Sequence, residues 1–356
     1  MEPWVLNTKF ESDTVVDKFE SLIWVDRYNA YGDFELYLMM DPYWLEKLSI
    51  GNYLWLNESS HIMIVEKIVV TADVEMGNRL VVTGRSLESI LERRIIWGQK
   101  SYSGSLQNAI EQMLNECIIA PTIADRKIDN FVFVPSTDEK ITSLTIDAQF
   151  TGDNLYDVIK SLCVASDIGF KIELTEDNIF AFSLYAGVDR SYEQEANPHV
   201  EFSPNFDNII NSEYLNSMME FKNVTLVAGE GEGSDRVTSI VGSGSGLNRR
   251  ELFTDARDIS SNTDSGTLTA AQYDAKLQQR GKEKLAEYGE VVAFEGEAET
   301  TQMYQYGKDF FIGDIVQVAN EYGHEGRAFV SELIFSQNEQ GVSIYPTFET
   351  VQERRF

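Results

Sequence analysis

Short runs of β-branched and aromatic residues, each closed by turn residues, recur at both ends of this chain, and they constrain its fold more than any other feature. FELYL (34–38), NYLWL (52–56), IMIVEKIVVT (62–71) and RLVVTG (79–84) lie in the first hundred residues. VVAFEGEAETT (291–301), DIVQVAN (314–320), GRAFVSELIFS (326–336) and GVSIYPTF (341–348) close the chain. Turn material separates them at Asp41-Pro42, at Ser49 to Gly51 and at Met76-Gly77-Asn78. Such runs, so punctuated, predict antiparallel strands, with 62–71 and 79–84 forming a hairpin. A short helix with Leu87, Ile90 and Leu91 at helical spacing follows.

The middle of the chain changes period. Leu106, Ala109, Ile110, Met113, Leu114 and Cys117 fall on one face of a half-buried helix, and Leu155, Val158, Ile159, Leu162 and Cys163 repeat the pattern after Thr151-Gly152-Asp153. FKIEL (170–174) and IFAFSLY (179–185) then form a hairpin across a Thr-Glu-Asp-Asn turn. Helix, helix and hairpin make a small α+β module. From about 200 to 260 strands alternate with Gly-rich loops, GEGEGSDR and VGSGSGLNRR. Thr269 with Gln272 forms a capping box that opens a helix, and Gly289 closes it.

A faint repeat links the two β ends. Ile50-Gly51-Asn52-Tyr53-Leu54-Trp55-Leu56 parallels Ile312-Gly313-Asp314-Ile315-Val316-Gln317-Val318, and each is followed by turn, strand, turn and strand. Two explanations stand: strands of barrels look alike, or two related β-barrels share one chain.

Composition narrows function. The 356 residues carry 58 acids against 29 Lys and Arg, a net charge of −29, with 41 aromatic residues. Aromatic content on this scale supports a packed core despite the charge. The charge argues against general nucleic-acid binding and against anionic membrane surfaces, both of which need clustered bases. The N-terminal MEPWVLNTKFESDT is no signal peptide, and the longest apolar runs are strand-length. Cys117 and Cys163 read as buried hydrophobes in a reducing compartment.

Catalytic motifs fail one by one. His324-Glu325 opens an HExxH whose closing position is Ala328, and the other histidines, His61 and His199, are scattered. No serine has a G-x-S-x-G surround, and Gly281-Lys282 and Gly307-Lys308 are followed by acids. Gly242, Gly244 and Gly246 lead into Asn248-Arg249-Arg250 and so belong to a loop. Pairs such as Asp255 and Asp258 arise by chance among so many acids. No catalytic residue, metal ligand or cofactor site is assigned. One acidic feature is ordered: Glu295, Glu297 and Glu299 alternate, so on a strand they share a face. That face is either the wet side of an antiparallel sheet or an acidic wall past which a polyanion moves without sticking.

The succession GDFELYLMMDP (32–42), IGNYLWL, VVTGRSLESILERRIIWGQ (81–99), TGDNLYDVIKSLC (151–163), LYAGVDRSY (184–192), VTLVAGEGEGSDR (224–236), RRELFTDARDIS (249–260) and YGKDFFIGDIVQV (306–318) resembles the Gp37-like tail proteins of long-tailed bacteriophages. These are similar to the hub, or tail-associated, proteins of the tail tip. The resemblance implies a mainly β fold with an α+β insertion: two related antiparallel β-barrel-like domains plus the helix-helix-hairpin module. The expected division is a first β-barrel domain at 1–98, the inserted module at 99–186, strands and loops of the second barrel region at 187–268, a helix at 269–289 and the second β-barrel domain at 290–356.

It further implies a structural, non-enzymatic homotrimer in the virion, made in the host cytoplasm, whose barrels form a pseudo-sixfold ring continuing the tail tube. Its partners would be the distal tail protein, other tip proteins and a tape-measure protein in the channel. DNA would be passing cargo, and membrane binding is not expected. Glu295, Glu297 and Glu299 would face the channel or its rim. The chain ends at PTFETVQERRF, just after its last predicted strand, so no peptidase or host-binding extension is expected. Two other functions compete: a tail-borne peptidoglycan hydrolase, and a carbohydrate-binding tail-tip module using exposed Trp or Tyr.

Overall fold

The computed structural model describes residues 1–73, 77–263, 266–298, 303–323 and 325–350. The first β unit contains β1 (Trp4–Leu6), β2 (Ser12–Val15), β3 (Ser21–Arg27), β4 (Asp33–Met39), β5 (Tyr53–Trp55), β6 (Ile62–Asp73) and β7 (Gly77–Ser86). Between β4 and β5 lies α1 (Pro42–Lys47). Asp41-Pro42, which reads as a turn, starts this helix: Asp41 accepts from the Tyr43 amide and Pro42 takes the first turn, where no amide partner is needed. The helical spacing at Leu87 becomes a 3-10 turn, Leu87–Arg93.

The inserted segment runs through β8 (Gln99–Ser105), α2 (Leu106–Leu114), β9 (Phe131–Val134), α3 (Glu139–Thr142), β10 (Thr145–Thr151), α4 (Leu155–Ala165), β11 (Gly169–Leu174) and β12 (Phe180–Tyr185). Asn154, rather than the preceding Thr-Gly-Asp, caps α4. The hairpin β11–β12 gains β9 as a parallel third strand, and β8 pairs with β10. Both apolar helix faces pack into one core with Ile62, Ile64 and Ile90.

Then come β13 (Glu201–Phe202), β14 (Ile209–Ser217), β15 (Val224–Ala228), β16 (Thr238–Gly242), β17 (Glu251–Asp255), the short hairpin β18 (Asn262–Thr263) and β19 (Gly266–Thr267), and α5 (Ala270–Ala286). The capping box of α5 is present in both directions, but the helix ends at Glu287, before Gly289. One face of the β16-β15-β17 sheet packs on α5 through Val227, Val241, Tyr273, Leu277 and Leu285. The chain closes with β20 (Val291–Ala298), β21 (Ile315–Ala319), β22 (Glu325–Asn338) and β23 (Gly341–Thr350).

The fold is mainly β, with the α+β module inserted, and its two barrel-like units are halves of a single 13-stranded sheet in the order β14-β20-β23-β22-β3-β4-β7-β6-β5-β1-β2, with β21 on β22 and β13 on β21. Neither half closes into a barrel among the described residues. The halves correspond strand for strand: β3-β4-β7-β6-β5-β1 matches β14-β20-β23-β22-β21-β13, except that β13 joins β21 in parallel while β1 joins β5 antiparallel.

Backbone detail shows that the repeat is structural. Gly51 and Gly313 both sit at φ +89°. The Gly51 amide donates to Val65 O and the Gly313 amide to Val330 O, while Val65 donates to Asn52 O and Val330 to Asp314 O. Each long strand then bulges at the next residue, between Val65 and Lys67 in β6 and between Val330 and Glu332 in β22. The halves meet where β22 pairs antiparallel with β3, and one core takes Trp24, Phe34 and Leu36 from the first with Phe294, Phe335 and Phe348 from the second.

Candidate functional site

The face of the sheet away from this core holds the acidic positions beside exposed apolar residues such as Ile23, Val69 and Leu215. Phe294 is buried in the core, so the pleat of β20 places positions 295 and 297 together on the opposite face. Position 295 lies between Glu213 of β14, which is exposed, and Thr347 of β23. Glu299 lies outside the described residues, so two of the three sequence candidates are placed on one strand.

The first half repeats this row. Glu35 of β4 lies between Ile23 of β3 and Thr83 of β7, the counterparts of Glu213 and Thr347. The dipeptides Phe34-Glu35 and Phe294-Glu295 carry the signal for this match. Glu213 had none, because only the pairing of β14 with β20 brings it opposite position 295. Around Glu35 the face opens a hollow of about 490 Å³ lined by Ile23, Asp33, Glu66, Lys67 and Arg85. Its acids are mostly neutralised in place: Arg27 pairs with Asp33 and with Glu332 across the joint, and Arg85 with Glu66 and Glu92. In the first half the face is therefore mixed in charge rather than an acidic wall.

Beneath the sheet is a buried charge cluster that spacing did not announce. Asp26, Ser59, His61 and Glu88 are all buried. Asp26 accepts from Trp24 Nε1 at 3.0 Å and from Ser59 Oγ at 2.7 and 2.9 Å. His61 Nδ1 lies 3.3 Å from Glu88 Oε1, which also accepts the Ile172 amide of β11 at 2.7 Å. Burial pushes the His61 imidazole down, but the facing Glu88 and Asp26 carboxylates outweigh it and hold the group up at about 9. Burial likewise pushes the Glu88 carboxyl up, and His61 reverses this to below the ordinary value. Burial raises Asp26.

The residue types evoke nucleophilic catalysis, but the geometry does not provide it. Ser59 Oγ donates to a carboxylate rather than to an imidazole nitrogen, so nothing there withdraws its proton in the manner of a Ser-His pair. The cluster instead ties the inserted module to the first β unit. His199 is exposed with its Nε2 2.8 Å from Gln194 O, and His324 lies outside the described residues. The only exposed tryptophan among the described residues, Trp97, has the Arg126 guanidinium over its ring. Among the described residues no group of three or more His, Cys, Asp or Glu side chains could hold a metal ion, and no helix is long and apolar enough to cross a membrane.

A second tie crosses the repeat joint. Asp314 accepts from Arg190 Nε and from the Val188 amide, each at 2.7 Å, and so fixes the segment leaving β12 against the start of β21. Tyr28, at the end of β3, donates to Asp167 O of the inserted segment, accepts from the Gly187 amide, and fills the space beside Gly169 and Gly313. The end of β3, the inserted segment and the turn before β21 therefore meet around one tyrosine.

The whole architecture is shared with solved structures. The 43 kDa tail protein of prophage MuSo2 from Shewanella oneidensis matches with a TM-score of 0.60 at 12% identity, over 99% of this chain and 98% of that one. The tail protein from Neisseria meningitidis MC58 matches at 0.58 and 12%, over 98% and 96%. Prophage tail protein gp18 from Listeria monocytogenes EGD-e matches at 0.57 and 12%, over 99% and 95%. At this identity the likeness shows a common fold. No curated protein matches the sequence. Residues 2–348, nearly the entire chain, match the Siphovirus ReqiPepy6 Gp37-like protein family, and the chain belongs to that family.

Proposed function

We propose that this protein is a structural hub of the bacteriophage tail tip, a homotrimeric adaptor that continues the tail tube and lines the DNA conduit. The observation that carries the reading is the repeat: two matching β units per chain, merged in one sheet. Three such chains supply six equivalent units, the number needed to meet a sixfold tube. In this reading 1–98 and 290–356, with strands from 187–268, form the ring, and the module at 99–186 decorates it. The distal tail protein would seat above and other tip proteins below, with a tape-measure protein and then DNA passing through. The outer face of the sheet, with positions 295 and 297 and Glu35, would line the conduit, where carboxylates left without a basic partner disfavour retention of phosphate. The family and the fold of prophage tail proteins support a place in the virion tail.

Cryo-microscopy of intact tails tests this. Three copies around the tail axis at the tip are expected, with the 35 and 295 rows toward the lumen. Absence of the protein from virions would overturn the reading, and an outward-facing row would overturn the conduit assignment. Replacing Glu295 and Glu297 by lysine is expected to slow DNA release.

A further inference from the structure

The joint between the two halves is a template for a joint between two chains. Within the chain, β22 pairs with β21 up to its bulge and with β3 beyond it, over Glu332 to Gln337. Its counterpart β6 pairs with β5 before its bulge, but along residues 67–72 it has only β7, and among the described residues no strand covers the other edge. The counterpart of β3 is β14, which pairs with β20 alone among the described strands. The chain thus carries one filled joint and the two separate halves of another.

Burial follows the same division. At the filled joint Trp24 is 0% exposed, Val25 5% and Phe335 1%. Their counterparts at the two edges are Tyr214 (39%), Leu215 (46%) and Val70 (48%), with Val69 at 37% beside it. Apolar side chains exposed along a strand edge mark a surface built to be covered. A two-fold axis passing through either edge would place that edge against itself. Pairing unlike edges is heterologous and closes a ring when the rotation allows.

We infer that β14 of one copy of this chain pairs antiparallel with residues 67–71 of β6 in a second copy, repeating the β3–β22 joint. The register follows from the matched pairs. Val65 and Val330 correspond through their glycine amides, and Phe34 and Phe294 through Gly84 and Phe348. Since Arg27 faces Glu332 and Val25 faces Ile334, Ser217 faces Lys67, Leu215 faces Val69 and Tyr214 faces Val70. The number of copies in the ring rests on the homotrimer proposed above; the pairing rests on the repeat.

Cysteines at directly opposed antiparallel positions lie within disulfide reach, and the native Cys117 and Cys163 are buried. Tails carrying Val69→Cys with Leu215→Cys are oxidised and run on a non-reducing gel, beside tails carrying Val69→Cys with Asn216→Cys. The expected result is a covalent trimer from the first pair and none from the second, because a one-residue slip turns the side chains to opposite faces. A trimer captured by a lysine-reactive cross-linker but not by the cysteine pair would overturn this register and leave the homotrimer standing. Monomer with both reagents would overturn both. As a second variant, Val69→Lys alone is expected to deplete the protein from particles, and adding Leu215→Glu to restore it; no restoration counts against the pairing.

Discussion

Single residues carry the repeat and the interior charge, and they respond differently to substitution. Gly51 and Gly313 share φ +89°, yet a Cβ on Gly51 meets only Thr8 Cγ2 at 4.0 Å, whereas one on Gly313 falls 2.2 Å from the Tyr28 ring. Gly51→Ala is expected to cost about 1 kcal/mol, the backbone strain alone. Gly313→Ala adds overpacking at the tyrosine and should cost roughly 2–4 kcal/mol. Equal losses in urea unfolding would show that the Tyr28 junction yields easily. His61 gives a pH signature. Its folded pKa, about 9, lies above the ordinary imidazole value, so its contribution is full below that value and lost as pH rises toward 9. The melting temperature should fall across that window. In a His61→Gln, Glu88→Gln double variant, which removes both facing charges, that part of the fall should disappear; a persisting slope would assign it elsewhere. The glycines and the Phe-Glu dipeptides were visible in the sequence. The cluster was not, since Asp26, Ser59, His61 and Glu88 come from separate segments and no local pattern records that they converge.

At the scale of elements, periodicity worked where it was strong. The helices at 106 and 155, the hairpins 62–86 and 169–185, and the capped helix at 270 stand where apolar spacing and end signals put them. Strands β8 and β10 escaped, since QKSYSGS has little β-branched or aromatic content and pairs only because TIDAQFT lies against it. Helix α5 shows what spacing leaves out. Its inward face carries Lys276, Arg280 and Glu283 as well as leucines. Lys276 pairs with Asp147 of β10 at 2.7 Å and Arg280 donates to Gln149 O of the same strand at 3.1 Å, which straps the inserted module to the α5 layer, while Arg280 also pairs with Asp258 at 2.9 Å. Glu283 has a weaker position: Gln279 donates to it, but Arg280 stands 3.9 Å away. Burial therefore pushes its carboxyl up to about 7. With a raised pKa, stability is full below the ordinary carboxyl value and lost as pH rises through 7. Glu283→Gln should raise the melting temperature at pH near 8 and change it little near pH 5. A loss at pH 8 would show that the charged carboxylate is needed where it sits.

For the molecule as a whole, charge and topology pull in opposite directions. A net charge of −29 makes copies of this chain repel, while exposed apolar strand edges favour their pairing. Added salt shortens the range of the repulsion, to about 10 Å at 0.1 M, and leaves apolar contacts in place. The assembled fraction in sedimentation should therefore rise between low and moderate salt, and a fall would mean that ion pairs dominate the contact. The sequence by itself determined that the chain is mainly β with a helical insertion, that its ends carry a faint repeat open to two explanations, and which family it resembles. Those properties reside in local periodicity, turn chemistry and ordered motifs, all of which act over a few residues. Only the tertiary structure decided that the two β units share one sheet and one core, that acids on one face are paired with arginine, and that among the described residues two strand edges have no partner strand. Each depends on register between segments far apart in the chain, such as β3 with β22. Register is set by which side chains pack together across the core, a choice no single stretch of sequence contains.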